Sequence, residues 1–354
     1  MSAIVIPATM KAVVVEPGHK VAVKEHPVPP IGDDDILVKT VSVAQNPTDW
    51  RHVDGHGKPG TVLGVDFSGN VVQVGKNVAS PKVGDHVSGF VHGAAFEDEG
   101  AFAEYVKTPA DLVWVVPEGT FTHDEAATLP CAFFTAVQDL YHPARLGLVE
   151  PPAKVEGEDW ILVYGGSSAV GQCLIQLAHA SGFKVVTTAS PRNFDLAKAL
   201  GADAVFDYRD PDVVSKIKKA TGDSLTKAVD AIAVLDSQRI CAEALGPKGG
   251  KVLLVQGVQE AAATLRKDVV LQASVLYTAL GREYVWRDGV VVPRSAEDYQ
   301  HHVAFLKKMP QLVRAGLVKP LPIKLWEGGL EAVPDGLQWM REGKVSAQKI
   351  VYRV

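Results

Sequence analysis

Residues 159–171 read Asp-Trp-Ile-Leu-Val-Tyr-Gly-Gly-Ser-Ser-Ala-Val-Gly. Ile161, Leu162 and Val163 form the short apolar run of a strand covered on both faces, and the residues from Gln172 onward repeat with helical spacing through Leu174, Ile175, Leu177 and Ala178. Between strand and helix lies a turn of small residues. A helix that starts behind such a turn offers free N–H groups and the positive end of its dipole to an anion. Set against the glycine fingerprint of dinucleotide-binding turns, Gly166 takes the first position, Gly171 the third, and Ser168 stands where the second glycine belongs. On this match alone an ordinary strand-to-helix turn fits as well, so the flanking sequence decides.

Downstream, strands and helices alternate: strands at 160–164, 185–189, 204–207, 229–234 and 251–255, with helices starting at 172, 194, 213 and 239. Alternation of this kind predicts parallel strands joined by right-handed helical crossovers, a doubly wound α/β sheet. Upstream of Thr122 the pattern is different. Short strands at 10–15, 21–24, 35–43, 67–74, 86–90, 103–106 and 112–115, separated by glycine-bearing turns, predict a compact β barrel or sandwich. Thr122-His123-Asp124-Glu125 has the form of a capping box, and helical periodicity begins there. A helix is expected over 296–316, and strand-like pieces at 321–326 and 349–354 are expected to return to the first domain. The chain therefore divides in expectation into a β-rich domain at 1–125, a nucleotide-binding domain at 126–285 and a returning segment at 286–354.

The totals narrow the class. A chain of 354 residues with 47% hydrophobic and 22% charged residues is a globular enzyme by composition, and a net charge of -5 gives no basic field for nucleic acid or an anionic membrane. No run of 18 apolar residues occurs, and the apolar patch 3–6 is broken by Pro7 and lacks a basic flank, so a cytoplasmic location without signal peptide is expected. Cys131, Cys173 and Cys241 are widely spaced, as suits reduced thiols.

Several local patterns then occur in a telling order: Asn46-Pro47-Thr48-Asp49, Leu63-Gly64-Val65-Asp66-Phe67-Ser68-Gly69, Val83-Gly84-Asp85-His86-Val87, Gly100-Ala101-Phe102-Ala103-Glu104-Tyr105, the fingerprint, and Leu196-Ala197-Lys198-Ala199-Leu200-Gly201-Ala202-Asp203. In these the whole chain resembles the medium-chain dehydrogenase/reductase family, in its zinc-free branch of quinone oxidoreductases and enoyl reductases. Ser190-Pro191-Arg192-Asn193-Phe194-Asp195-Leu196-Ala197-Lys198 and Phe206-Asp207-Tyr208-Arg209 are similar to the fungal trans-acting enoyl reductases of polyketide pathways in particular. The resemblance implies a GroES-like β-rich catalytic domain beside a Rossmann domain. Where zinc-dependent members place metal ligands, this chain has Asn46, Val65 and Asp66, and no cysteine precedes Cys131, so no metal is expected. His52 and His56 have a four-residue spacing, but their segment reads as a flexible turn.

An NAD site usually carries an acidic residue about 20 residues past the fingerprint. Here Thr188-Ala189-Ser190 occupies that place, and Ser190, Arg192, Asn193 and Tyr208 offer neutral and cationic donors, so NADPH is expected over NADH. By resemblance, Gly166, Ser167, Ser168, Ala169 and Val170 hold the pyrophosphate, Ser190, Pro191, Arg192, Asn193 and Tyr208 the phosphorylated ribose, and Val255 and Gln256 the nicotinamide ribose. Thr48, Asp49, Trp50 and Arg51 reach the cofactor from the β-rich domain, and Val345 and Ser346 from the C-terminal segment. For Asp49 a turn-capping role is the competing reading.

The implied reaction reduces the double bond of an α,β-unsaturated carbonyl by hydride transfer without a metal, and needs a donor for the charge developing on the carbonyl oxygen. Arg51, Thr135, Tyr277, a ribose hydroxyl or a backbone N–H are the candidates. Ala132, Phe133, Phe134, Thr135, Leu276, Tyr277, Thr278 and Leu280 are expected to line a largely apolar acceptor pocket, although an aromatic pair opening an apolar helix also suits a core. Quinone reduction, or NADPH binding with little turnover, are the alternatives. A polyketide synthase is an expected partner, and the polar stretch 281–295 favours a monomer over a homodimer.

Overall fold

The computed structural model describes residues 5–286 and 289–354, so part of the apolar patch 3–6 lies outside the described residues. Its chain forms two compact units, one made of residues 1–131, 277–314 and 320–354, the other of 132–276 and 315–319. The chain crosses between them at Cys131/Ala132, Leu276/Tyr277, Arg314/Ala315 and Lys319/Pro320.

The first unit is β-rich. Strands β1 (Thr9–Glu16) and β2 (Lys20–Pro27) pair antiparallel as a separate ribbon. Strand β3 (Asp35–Ala44) is followed by helix α1 (Pro47–Asp54), then β4 (Asp66–Val74), β5 (His86–Phe90), β6 (Tyr105–Pro109) and β7 (Val113–Val115). Helices α2 (His123–Ala127) and α3 (Pro130–Tyr141) come next. Thr122 and Glu125 form the expected capping box: Glu125 N–H donates to Thr122 Oγ1 at 3.2 Å and Thr122 N–H to Glu125 Oε2 at 2.8 Å. The helical stretch expected from here forms two helices, because Pro130 has no N–H to continue the ladder and its ring clashes with the preceding turn.

The second unit holds a six-stranded sheet whose residues form these elements in order: β8 (Trp160–Tyr164), α4 (Ala169–Ala180), β9 (Lys184–Ala189), α5 (Phe194–Ala199), β10 (Ala204–Asp207), α6 (Val213–Ala220), β11 (Lys227–Asp230), α7 (Leu235–Ala244), β12 (Gly250–Leu254), α8 (Glu260–Ala263) and β13 (Val269–Ala273). Every pairing is parallel, in the order β10-β9-β8-β11-β12-β13. Successive strands step outward from β8 to one edge and then from β11 to the other, so the order reverses between β8 and β11. Ligands of such sheets bind outside the carboxyl ends at that reversal. Its core gathers Leu162, Val186, Ile217, Leu225, Val252 and Leu254.

The chain then returns to the first unit through the hairpin β14 (Tyr284–Val285) and β15 (Val291–Val292), helices α9 (Ala296–Leu306) and α10 (Met309–Arg314), strand β16 (Ile323–Leu325), helix α11 (Val333–Arg341) and strand β17 (Lys349–Arg353). The single helix expected over 296–316 is broken here by Pro310, whose position bars a bond to the carbonyl of Leu306. β17 pairs antiparallel with β3 and parallel with β16, which completes a seven-stranded sheet over a core that includes Phe67, Phe102, Leu337 and Tyr352. No helix among the described residues is long and apolar enough to cross a membrane.

Candidate active site

In the second unit, the turn after β8 is built for close approach. Gly165 adopts a φ of +82°, and a Cβ there would lie 2.6 Å from Ile232 Cγ1. At Gly166 a Cβ would meet Thr187 Oγ1 at 2.1 Å, and at Gly171 it would meet the carbonyl oxygen of Gly165 at 2.2 Å. Ser168 is the N-cap of α4, and its hydroxyl accepts the Gly171 N–H at 3.0 Å. That accounts for a serine where the fingerprint has its second glycine: the hydroxyl satisfies one of the helix's first N–H groups. The N–H groups of Ala169 and Val170 have no acceptor within the helix, because they belong to its first turn. Three glycines that admit no side chain, with first-turn N–H groups beside them, fit a pyrophosphate.

The end of β9 carries no acid. Ala189 is buried, Ser190 half-buried, and Pro191–Asn193 makes a short 3-10 turn that leaves Arg192 exposed. The nearest acid in register is Asp207, paired with Ala189 across β10 and β9. Arg209 grips it with two bonds, Nε to Oδ1 at 3.0 Å and Nη2 to Oδ2 at 2.9 Å, and holds its carboxyl below the usual carboxylate range. Tyr208, between them in sequence, is 42% exposed. Arg209 thus pairs the acid that lies in register with the end of β9. Val255 and Gln256 follow β12, and Gln256 Nε2 donates to the carbonyl of Ile232 at 2.8 Å.

In the first unit, α1 begins at a buried polar cluster. Asn46 Nδ2 donates to Asp66 Oδ2 at 2.8 Å, and Lys349 Nζ lies 3.0 Å from the same oxygen while also donating to Asn46 Oδ1. The Cys131 N–H donates to Asp66 Oδ1 at 2.7 Å. The place that would have to supply a carboxylate to a metal thus has that carboxylate claimed by an ammonium, an amide and a backbone N–H. Among the described residues no three His, Cys, Asp or Glu side chains gather as a metal site. Lys349 was missed in the sequence; a lysine opening the buried strand Lys349-Ile350-Val351-Tyr352 was the available signal.

Asp49 is completely buried, and its Oδ2 accepts the Asn46 N–H at 2.6 Å, the capping geometry. Burial pushes its carboxyl up to about 8. His52 is also buried and sits in the last turn of α1, not in a flexible turn as its sequence suggested; its ring lies 4.3 Å from that of His56. Its Nδ1 lies 2.7 Å from the carbonyl of Thr48 and 3.2 Å from Thr48 Oγ1. Thr48 Oγ1 is 2.8 Å from the hydroxyl of Tyr277, whose ring stacks on His92 with centroids 3.8 Å apart. Burial drives the Tyr277 phenol well above its ordinary value. No local pattern marked His92. Arg51 and Trp50 are half-buried, with the guanidinium 5.3 Å from the Trp50 ring, and Val345 and Ser346 are half-buried in the segment before β17.

Of the expected acceptor-lining residues in the second unit, Ala132, Phe133 and Phe134 are buried, the two rings edge to face at 5.5 Å, while Thr135 is half-buried. Leu276 is buried at the start of a 3-10 turn, Leu276–Leu280. In the first unit Tyr277 and Leu280 are buried and Thr278 half-buried.

Two buried carboxyls shape the pH dependence of stability. Asp139 on α3 is fully buried, and burial raises it to about 7 against the pull of the Ser274 hydroxyl and Arg145. Both Asp49 and Asp139 hold their proton in the folded state where the unfolded chain, near 3.8, has released it. These two groups take up protons on folding, so the stability they contribute declines as pH rises from about 4 to about 8, while His86 and His302, lowered by burial to about 4 and about 3, work in the opposite direction up to about 6.5. The difference in denaturant midpoint between Asp139→Asn and the unmodified protein is expected to shift in favour of the variant as pH rises from about 4 to about 7. An unchanged slope in the variant would count against the buried neutral carboxyl.

A β-rich unit and a doubly wound unit with a pyrophosphate-compatible turn define a two-part pyridine-nucleotide oxidoreductase. Residues 32–118 match the alcohol dehydrogenase GroES-like domain, and residues 169–292 match the zinc-binding dehydrogenase family. The chain is 39% identical over 350 residues to the trans-enoyl reductase ACTTS2 of Alternaria alternata, covering 98% of this chain and 99% of that one. It therefore belongs to the medium-chain dehydrogenase/reductase family, an NAD(P)-dependent oxidoreductase family, among the relatives of the fungal trans-enoyl reductases. Solved structures share the fold: the CurK enoyl reductase (TM-score 0.75, 20% identity, 98% and 99% of the two chains) and a mycobacterial protein complexed with NADPH (TM-score 0.73, 22% identity, 98% and 100%).

Proposed function

We propose that this enzyme reduces the carbon–carbon double bond of an enoyl thioester, enal or enone with NADPH and without zinc. The observation that carries the reading is the acid-free end of β9, followed by Ser190, Arg192 and Asn193, whose neighbouring strand ends in Asp207, gripped by Arg209, with Tyr208 between them in sequence. When bound, NADPH supplies a hydride to the β-carbon of the acceptor. The chain's own residues hold and orient. The Ala169 and Val170 N–H groups, with Gly166, Ser167 and Ser168, take the pyrophosphate; Arg192 and Ser190 take the 2′-phosphate; Val255 and Gln256 take the nicotinamide ribose. The Lys349–Asp66–Asn46 cluster supports the zinc-free part, because its carboxylate is already neutralised.

The roles of Thr48, Asp49, Trp50, Arg51, Val345 and Ser346 toward the cofactor belong to the same proposal. So do those of Ala132, Phe133, Phe134, Thr135, Leu276, Tyr277, Thr278 and Leu280 toward the acceptor. Asp49, as a buried cap, would act by shaping α1. The reduced thiols of Cys131, Cys173 and Cys241 suit a reducing cytoplasm, and a monomer serving a polyketide synthase in trans is the assembly this reading implies.

The test is loss of NADPH absorbance with crotonyl thioesters, enones and quinones offered in turn. Turnover of the enoyl substrates at least about tenfold faster than of quinones is expected, a difference of about 1.4 kcal/mol in transition-state binding. Reduction of quinones alone would replace the reading with quinone reduction. Tight NADPH binding with no turnover of any acceptor would leave a cofactor-binding protein.

A further inference from the structure

We propose that Gln238 is a positioning residue for the coenzyme: its buried amide fastens the turn after β11 to the turn after β12, so that Val255 and Gln256 stand on one rigid wall. The inference rests on the NADPH binding proposed above and adds how the nicotinamide-ribose side of that site is held.

The bracket starts at Asp230. This residue closes β11 in register with Tyr164 on β8 and Leu254 on β12, which places it at the reversal of strand order. Its completely buried carboxyl accepts the N–H groups of Ile232 at 2.9 Å and Ala233 at 2.8 Å on Oδ1, and the Ser237 hydroxyl at 2.6 Å on Oδ2. The chain is thereby turned sharply, and Ala233 is left at a φ of +57°, a left-handed conformation that a side chain disfavours. Such a residue persists only where its surroundings hold it. Asp230 holds its N–H, and Gln238 holds its carbonyl.

Gln238 lies on α7 and is fully buried. Its Nε2 donates to the carbonyl of Ala233 at 3.1 Å and to that of Gly257 at 3.0 Å, while its Oε1 accepts the Gln259 N–H at 2.9 Å. The two carbonyls only accept and the N–H only donates, so the partners fix which way the amide faces. Both amide protons are spent, one on each turn. Gln256 Nε2 also crosses the gap, to the carbonyl of Ile232 at 2.8 Å, but that bond is exposed to water, which competes for both of its ends. In the interior no such competition exists, so Gln238 carries the connection.

The side chain's chemistry makes the idea testable. Methionine fills a similar volume and offers neither donor nor acceptor of comparable strength. In Gln238→Met the two turns reach the binding-competent arrangement only part of the time, and the dissociation constant for NADPH is expected to rise about tenfold. Glutamate keeps an acceptor for Gln259, but its second oxygen faces carbonyls and can bond one of them only while protonated. The ionisable groups that bear on this corner, Asp230 at the end of β11, Tyr164 on β8, and Asp236 and Cys241 on α7, are all acids, so none of them favours an added negative charge. Gln238→Glu is therefore expected to bind NADPH nearly as the unmodified protein does at about pH 6 and about tenfold more weakly at about pH 8.5. Each value is taken as a ratio to the unmodified protein at the same pH, which cancels the titration of the coenzyme's own phosphate.

Amide hydrogen exchange of the coenzyme-free protein supplies a readout independent of binding. In Gln238→Met the amides of Gln259 and Ala233 are both expected to exchange at least about tenfold faster, although only the first is bonded to Gln238 directly. Acceleration at Gln259 alone would show that the turns are held separately and would overturn the bracket. A Gln238→Met variant with unaltered affinity for NADPH would overturn the positioning role, as would a pH-independent ratio in Gln238→Glu. Gln238→Met places no charge in the interior, so it decides the matter even where the glutamate variant does not fold. An unmodified protein that fails to bind NADPH would overturn the coenzyme reading itself, and exchange measured without coenzyme tells that failure from the others.

Discussion

Replacing Lys349 by methionine is expected to cost about 3–5 kcal/mol of folding stability, read as a drop in denaturant midpoint at constant slope. The size follows from burial. Lys349 is 2% exposed and Asp66 completely buried, so removing the ammonium leaves a carboxylate in the interior with only an amide and a backbone N–H to hold it. The loss comes mainly from the charge left behind, not from the attraction removed. A second substitution therefore discriminates: Lys349→Met combined with Asp66→Asn is expected to regain more than half of the loss, since no buried charge remains. Independent, additive losses in the double variant would show that the two side chains do not form one unit. Because Asn46 both bonds Asp66 and caps α1, the single variant should also loosen the helix that carries Thr48 and lower turnover.

Placing aspartate at Ser190 together with Arg192→Ala is expected to raise the dissociation constant for NADPH at least about 100-fold while leaving that for NADH within a few-fold. A charge-assisted hydrogen bond to phosphate contributes about 1.5–3 kcal/mol, and an acid beside a 2′-phosphate adds repulsion to the loss. Two such changes comfortably exceed the 2.7 kcal/mol that a factor of 100 requires. Fluorescence titration with both coenzymes measures it. Equal weakening toward the two would mean that the substitutions damage the fold of the corner and not its charge, and unaltered NADPH binding would remove Arg192 and Ser190 from the phosphate site.

The doubly wound unit was legible because its signals are local: the buried strand, the small-residue turn and the helix after it lie within residues 159–181, and the alternation that follows repeats them. Gly166 and Gly171 play the steric parts their fingerprint positions suggest, and Ser168 turned out to be a cap, as its short hydroxyl side chain allows. Asp49 had two readings from sequence, and its contact with the Asn46 N–H has the geometry of the capping one. Apolar periodicity obscured the helix breaks at Pro130 and Pro310, although proline itself was the readable sign. What sequence did not disclose were pairings without a local signature. Lys349 meets Asn46 across 303 residues, and Tyr277 meets Thr48 across 229. His52 was misplaced for a different reason: the glycines after it suggested a turn, while the eight-residue helix α1 continues two residues past it to Asp54.

The sheet of the β-rich unit is finished by β17, the strand of residues 349–353, set between β16 and β3. Synthesis on the ribosome proceeds from the amino end, so β3 emerges with its neighbour still unmade, and Asp66 leaves the exit tunnel long before the ammonium that will neutralise it. The doubly wound strands, all encoded before residue 274, have every partner in hand earlier. Maturation of the nascent chain is thus ordered: the middle of the message acquires its structure first, and the outer portions wait for one another with a template edge exposed to chaperones meanwhile.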